Sequence, residues 1–292
     1  MIDTLYAFLV APFADYAFMQ RALLGTLLLS VSSSPVGVFL MLRRMSLTGD
    51  AMSHAILPGV AVGFLFYGLD LVPMTLGGLV AGIVVAFGAG AISRLTIQRE
   101  DASLAAFYLI SLALGVLIVS LRGSTIDLMH VLFGSVLGLN NEALMLIGAI
   151  ITTSLVALGV FWRALVAETL DPLFLRSVSR LGPAVHFVFL CVVVLNLVGG
   201  FLALGSLLSV GLMMLPAASA RFWTTRVETM AMIAVVIAAA SSLSGLLLSF
   251  HAALPSGPAI ILSAGVVYAV SLVFGTNGML HNRPTKGHHR IA

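Results

Sequence analysis

The chain has 292 residues, 60% hydrophobic and only 9% charged, with a formal net charge of +3 and a mean hydropathy of +1.15. Soluble domains carry about 25% charged residues, so this composition excludes one and describes a polytopic membrane protein. The 14 cations lie scattered at the ends of apolar runs rather than on one surface, so they report topology and no nucleic-acid partner is expected.

The apolar runs show none of the short alternation of a membrane barrel, and helices satisfy their own backbone hydrogen bonds in lipid. The expected fold is therefore an all-α polytopic membrane protein, one transmembrane domain over residues 1–292 with eight to nine transmembrane helices. Residues 1–17 hold Asp3 and Asp15 and no cation, which does not fit a cleavable signal sequence, so the first span directs insertion. Spans are expected near 18–42, 52–68, 72–93, 103–121, 141–162, 183–200, 204–220, 228–249 and 258–277. The pair 183–200 and 204–220 is short and joined by a Gly-containing turn, which makes it either one broken helix or a tight hairpin.

Loops rich in Lys and Arg stay in the cytoplasm. With the N-terminus outside, Arg43, Arg44, Arg94, Arg99, Arg163, Arg176, Arg180, Arg221, Arg226, Arg283, Lys286 and Arg290 fall inside, leaving only Arg21 and Arg122 outside. That asymmetry survives a hairpin over 183–220 and fails for a single crossing, so nine crossings are preferred. The localisation that follows is a multi-pass protein of the cell (inner or plasma) membrane with a cytoplasmic C-terminus.

The second span opens with Asp50 and His54, four residues apart and so on one face of a helix. Ionisable groups inside a membrane are expensive and mark pathways for ions or substrates. A carboxylate oxygen with an imidazole nitrogen suits zinc, manganese or ferrous iron. The alternative is that Asp50 N-caps the helix while His54 packs against a carbonyl. Pro58 and Gly59, one turn later, predict a kink and the close approach of a neighbour.

Residues 122–140, with Asp127 and His130, are too polar for a span and too apolar for a free loop, and read as a re-entrant or interfacial helix. Asp70 and His251 are expected on the same outer side, as interfacial polar groups rather than ligands. The stretch 163–183 reads as the longest internal loop, with a short helix near 171–181. Asp171 caps it, Pro172 suits its first position, and Gly182-Pro183 ends it. Leu173, Phe174, Val178 and Leu181 form its apolar side, fit to rest on lipid or to dock a soluble partner. Gly78 and Gly82, like Gly199-Gly200 through Gly205 to Ser209, allow close helix contacts within one chain or between two copies. Cys191 and the thirteen Met residues read as packing, and the tail 278–292, with His281, His288 and His289, as a basic solvated segment.

Arg43-Arg44-Met45-Ser46-Leu47, followed by Gly49-Asp50-Ala51-Met52-Ser53-His54-Ala55-Ile56-Leu57-Pro58-Gly59-Val60, resembles the signature of the zinc/manganese/iron ABC importer permeases. Glu168-Thr169-Leu170-Asp171-Pro172 through Arg176 is similar to that family's cytoplasmic coupling segment, and Leu215-Pro216-Ala217-Ala218-Ser219-Ala220 to its late Pro-Ala-Ala motif. The resemblance implies a type II ABC importer-like permease that pairs with a second copy and grips cytoplasmic ABC ATPase subunits. An extracytoplasmic metal-binding protein docks outside in such a system. Asp50 and His54 then contact the passing ion. Coupling to the ATPase falls to Glu168, Asp171, Pro172, Phe174, Leu175 and Arg176. No permanent cofactor is implied, only a transported zinc, manganese or iron ion.

No G-x-x-x-x-G-K-[ST] occurs, so ATP hydrolysis is assigned to a separate subunit and the chain is not itself expected to be an enzyme. The absence of H-E-x-x-H and of a second mid-span aspartate argues against an intramembrane protease. The competing reading is an ion-coupled secondary metal transporter that works without an ATPase.

Overall fold

A computed structural model describes residues 6, 8–98, 100–120, 136–171 and 182–281. Its α-helices run in chain order as α1 (Ala11–Asp15), α2 (Ala17–Leu42), α3 (Ser46–Ala55), α4 (Leu57–Tyr67), α5 (Leu71–Leu95), α6 (Glu100–Ser120), α7 (Asn141–Leu170), α8 (Gly182–Leu204), α9 (Ser206–Arg221), α10 (Val227–Ala252) and α11 (Ser256–Phe274). Among the described residues no strand is present. Eight helical stretches among the described residues are long and apolar enough to cross a membrane, with α3 and α4 together making one of them. The ninth segment, α9, has 16 residues and spans about 24 Å, short of the ~30 Å hydrocarbon layer.

The joint between α8 and α9 is a hairpin. Gly205 sits at φ 91° and ψ 159°, a region that suits only a residue without Cβ. A Cβ on Gly200 would lie 2.3 Å from the Ser209 hydroxyl. Nine residues along an unbroken helix would be separated by about 13 Å, so this contact requires the chain to double back.

The bundle is centred on α2 and α8, which bury 67% and 72% of their apolar windows against 22% for α6 and α11. Phe39, Phe189, Phe201 and Leu197 fill the space between them and their neighbours. With no water at this depth, polar groups must be satisfied within the protein. Thr26, Ser30 and Ser33 of α2 accordingly donate to the carbonyls of Ala22, Thr26 and Leu29 at 2.9, 2.7 and 2.7 Å. Ser32 donates to the Asn196 side-chain oxygen, and the Asn196 amide donates to Ser154 at 3.0 Å, tying α2, α8 and α7 together.

The small residues serve contacts within the chain. A Cβ on Gly78 would meet Val60 at 3.0 Å, and one on Gly82 would meet Val194 at 2.5 Å and Ile56 at 3.0 Å.

One expectation is corrected. The stretch 163–183 is not a loop from its start, because α7 continues to Leu170 and converts residues 163–170 into helix. Ala164, Leu165, Ala167 and Glu168 are good helix formers, and Leu165 is buried, so packing and propensity carry the helix past the end of the apolar run. Asp171 is the exposed residue that ends α7. The helix expected beyond it, with Pro172, Phe174, Leu175 and Arg176, lies outside the described residues. So do Asp127 and His130 and the tail from residue 282. Of the interfacial helix expected over 122–140, the described part shows a single 3₁₀ turn, Val136–Gly138.

Candidate metal path

The paired arginines end α2 in a defined joint. Met45 N–H donates to the Leu40 carbonyl at 2.9 Å and Arg44 N–H to the Met41 carbonyl at 3.1 Å, the two bonds of a Schellman motif. Arg44 takes the left-handed position usually given to Gly, at φ 61°. The chain leaves this turn directly into α3, which starts at Ser46.

Helical spacing divides α3 into two sides. Thr48, Met52 and Ala55 are buried, with Gly49 against Leu40 and Met213. Asp50 and His54 occupy adjacent turns of the outer side, with Asp50 Oδ1 3.8 Å from His54 Nε2. With metal–ligand bonds of about 2.1 Å, one ion shared by these two atoms would subtend an angle of about 130°, somewhat wider than the tetrahedral angle. A small rotamer adjustment closes that difference.

Among the described residues, neither structural role considered for the pair is found. Asp50 is the fifth residue of α3, not its cap. His54 Nδ1 is buried with no hydrogen-bond partner, carbonyl or other, among the described residues. The Asp50 side chain remains 66% exposed on a membrane-spanning segment. Lipid does not solvate a carboxylate, so this face belongs to a wet path or to a covering surface.

Pro58 interrupts the helix as expected. It cannot donate to His54, and its ring crowds that carbonyl, so α3 ends at Ala55 and α4 begins at Leu57. Gly59 then meets Gly77 of α5 backbone to backbone. A Cβ on Gly59 would lie 1.9 Å from the Gly77 oxygen, and one on Gly77 2.2 Å from the Gly59 oxygen. The expected close neighbour is therefore α5.

Beside Asp50 opens a cavity of about 210 Å³ between α3 and α6, lined by Leu47, Thr48, Asp50 and Ala51 on one side and Leu104, Ala105 and Tyr108 on the other. The Tyr108 ring lies 6.2 Å from the His54 ring at 34°. Sequence reasoning did not single out Tyr108, since one tyrosine in an apolar run carries no spacing signal. Among the described residues no group of three or more His, Cys, Asp or Glu side chains is placed to hold a metal. Asp50 and His54 thus present two donor atoms of metal-binding type on one face of α3.

The other predicted residues are dispersed. Glu168 and Asp171 stand at the end of α7, and Glu168 turns inward to Arg43 at 2.9 Å. Asp70 caps α5 by accepting from Val72 N–H at 3.1 Å, and His251 Nε2 lies 3.0 Å from the Phe8 carbonyl oxygen.

The profile of the ABC 3 transport family matches residues 15–275. The chain belongs to the ABC 3 transport family. Within it, this chain is 31% identical over 272 residues to the manganese transport system membrane protein MntC of Listeria monocytogenes, covering 92% of this chain and 95% of that one. It is 30% identical to a probable iron transport system membrane protein of Haemophilus influenzae, covering 89% and 94%. Among solved structures, a chain of PsaBC from Streptococcus pneumoniae in complex with Fab superposes with a TM-score of 0.83 at 26% identity, covering 95% of this chain and 97% of that one. The ABC 3 assignment agrees with the permease family read from the Asp50–His54 signature, and the superposition on the PsaBC chain extends over nearly the whole chain.

Proposed function

We propose that this ABC 3 chain is the membrane permease of an ATP-driven importer for a divalent transition metal, manganese, zinc or iron, and that Asp50 and His54 contact the ion. The observation that carries the reading is the Asp50–His54 pair, 3.8 Å apart on an open face of a membrane-spanning helix. Two ligands hold such an ion weakly; a second copy presenting the same face would bring the set to four and cover the exposed carboxylate. Relatives named for manganese and iron transport support the class of cargo. Selection among the three metals is then shared with the protein that delivers the ion.

In this reading the ion enters between two permeases from the side where Arg21 lies, meets the Asp50 and His54 pairs, and leaves toward the side of Arg43 when ATPase subunits reshape the cavity. The segment from Asp171 through Pro172, Phe174, Leu175 and Arg176 is the docking element for the ATPase, and an extracytoplasmic metal-binding protein delivers the ion.

The test is uptake of labelled manganese and zinc by cells carrying the permease with its ATPase and binding protein, wild type beside Asp50→Ala and His54→Ala. Each variant is expected in the membrane at normal abundance with uptake lost. Undiminished uptake in both would remove the ion from this helix.

A further inference from the structure

Three helix ends converge on one buried charge. Arg43, at the end of α2, donates from one terminal nitrogen to Glu168 at 2.9 Å, and the two side chains are 8% and 13% exposed. Arg43 Nε donates to the Thr169 hydroxyl at 3.1 Å, and its other terminal nitrogen lies 3.3 Å from His186 Nδ1. Its guanidinium sits 4.3 Å above the Phe189 ring. His186 Nδ1 is in turn 4.0 Å from the second Glu168 oxygen. Phe39 joins the same three helices, packing edge-on to Trp162 and Phe189 at 5.1 and 6.2 Å.

The placement of these residues along the chain gives the cluster its consequence. Glu168 and Thr169 precede the 172–181 segment by one turn of helix, and His186 follows it by a few residues. Arg43 is followed immediately by the Schellman turn and then by α3 with Asp50 and His54. A planar guanidinium contacting four groups in fixed directions is a rigid joint rather than a point charge.

We propose that the Arg43–Glu168–His186 cluster is the mechanical link of the transporter: it fixes both roots of the 172–181 segment to the turn that sets the orientation of α3. Glu168 is then a positioning residue that acts through Arg43, and its carboxylate does not touch the ATPase. This inference rests on the reading of 172–181 as the ATPase-facing segment. Displacement of that segment moves α7 and α8 together, pulls the Arg43–Met45 turn, and rotates Asp50 and His54 against α6.

The experiment uses the assembled permease, ATPase and binding protein in proteoliposomes, and measures co-purification of the ATPase and metal imported per ATP hydrolysed. Arg43→Gln and Glu168→Gln are expected to keep the ATPase bound while metal per ATP falls about tenfold. Because either single change leaves a buried group poorly paired and can lower abundance, Arg43→Gln/Glu168→Gln removes both charges at once. It is expected at normal abundance, with the same loss as the single variants rather than their product. Wild-type metal per ATP in the double variant would overturn the link, and so would loss of ATPase binding in Glu168→Gln. Phe174→Asp/Leu175→Asp tests the underlying reading separately. If that variant keeps its ATPase, the docking assignment fails, whatever the charge-cluster variants do.

Discussion

His54 differs from an ordinary half-buried histidine in one atom. Its Nδ1 is enclosed without a partner among the described residues while Nε2 is turned toward Asp50. The four-residue spacing was legible in the sequence because helical periodicity is local. Tyr108 was not, since it reaches the site from α6, more than fifty residues away along the chain. Its ring forms the far wall of the cavity beside Asp50. Removing such a contact costs about 0.5–1.5 kcal/mol, so Tyr108→Ala should raise the apparent KM for metal uptake roughly three- to tenfold. Tyr108→Phe keeps the ring and should stay near wild type. An equal loss in both variants would assign the role to the hydroxyl. Arg43 makes a similar case at this scale: in the sequence it reads as a topology marker, and only its contacts with Glu168 and His186 show that its charge is held inside the bundle.

The second span illustrates what an element owes to its neighbours. Pro58 announced the break between α3 and α4, because a missing amide donor acts within the helix itself. Gly59 announced a close approach without naming what approaches. The answer, Gly77 of α5, required the two helices to cross at their glycines. A methyl group at either crossing glycine meets a backbone carbonyl that cannot swing aside, unlike a side chain. Gly59→Ala and Gly77→Ala should therefore each destabilise the protein by about 1–3 kcal/mol or more, read as a lower melting temperature in detergent and reduced abundance. Gly159→Ala is the control, because nothing lies within 4 Å of its added carbon. Equal melting temperatures for all three would show that α4 and α5 have room to separate. At the far end of the chain's logic, α7 outran its apolar run because propensity and the burial of Leu165 extend a helix beyond the segment that lipid alone would require.

At the scale of the whole molecule, the charges sort to opposite ends of the bundle. Arg221 lines one cavity with Leu42 and Asn277, at the end where Arg43 meets Glu168, whereas Arg21 opens α2 at the other end. If the cation-rich end is cytoplasmic, a membrane-impermeant thiol reagent applied to whole cells should label Leu254→Cys, between α10 and α11, and spare Thr225→Cys, between α9 and α10, in a Cys191→Ser background. The reverse pattern would invert the proposed direction of transport. The sequence by itself determined the membrane class, the apolar runs of eight spans, the kink and the placing of Asp50 and His54 on one helix face. Each of these follows from composition or from periodicity within one helix, where the interacting residues are neighbours along the chain. Tertiary structure alone decided that Gly205 folds α8 and α9 into a hairpin, that Gly78 and Gly82 pack within the chain, and that Arg43 binds Glu168 and His186. Those outcomes depend on which helices become neighbours in space, and a pattern that repeats every few residues carries no record of the partner it will meet.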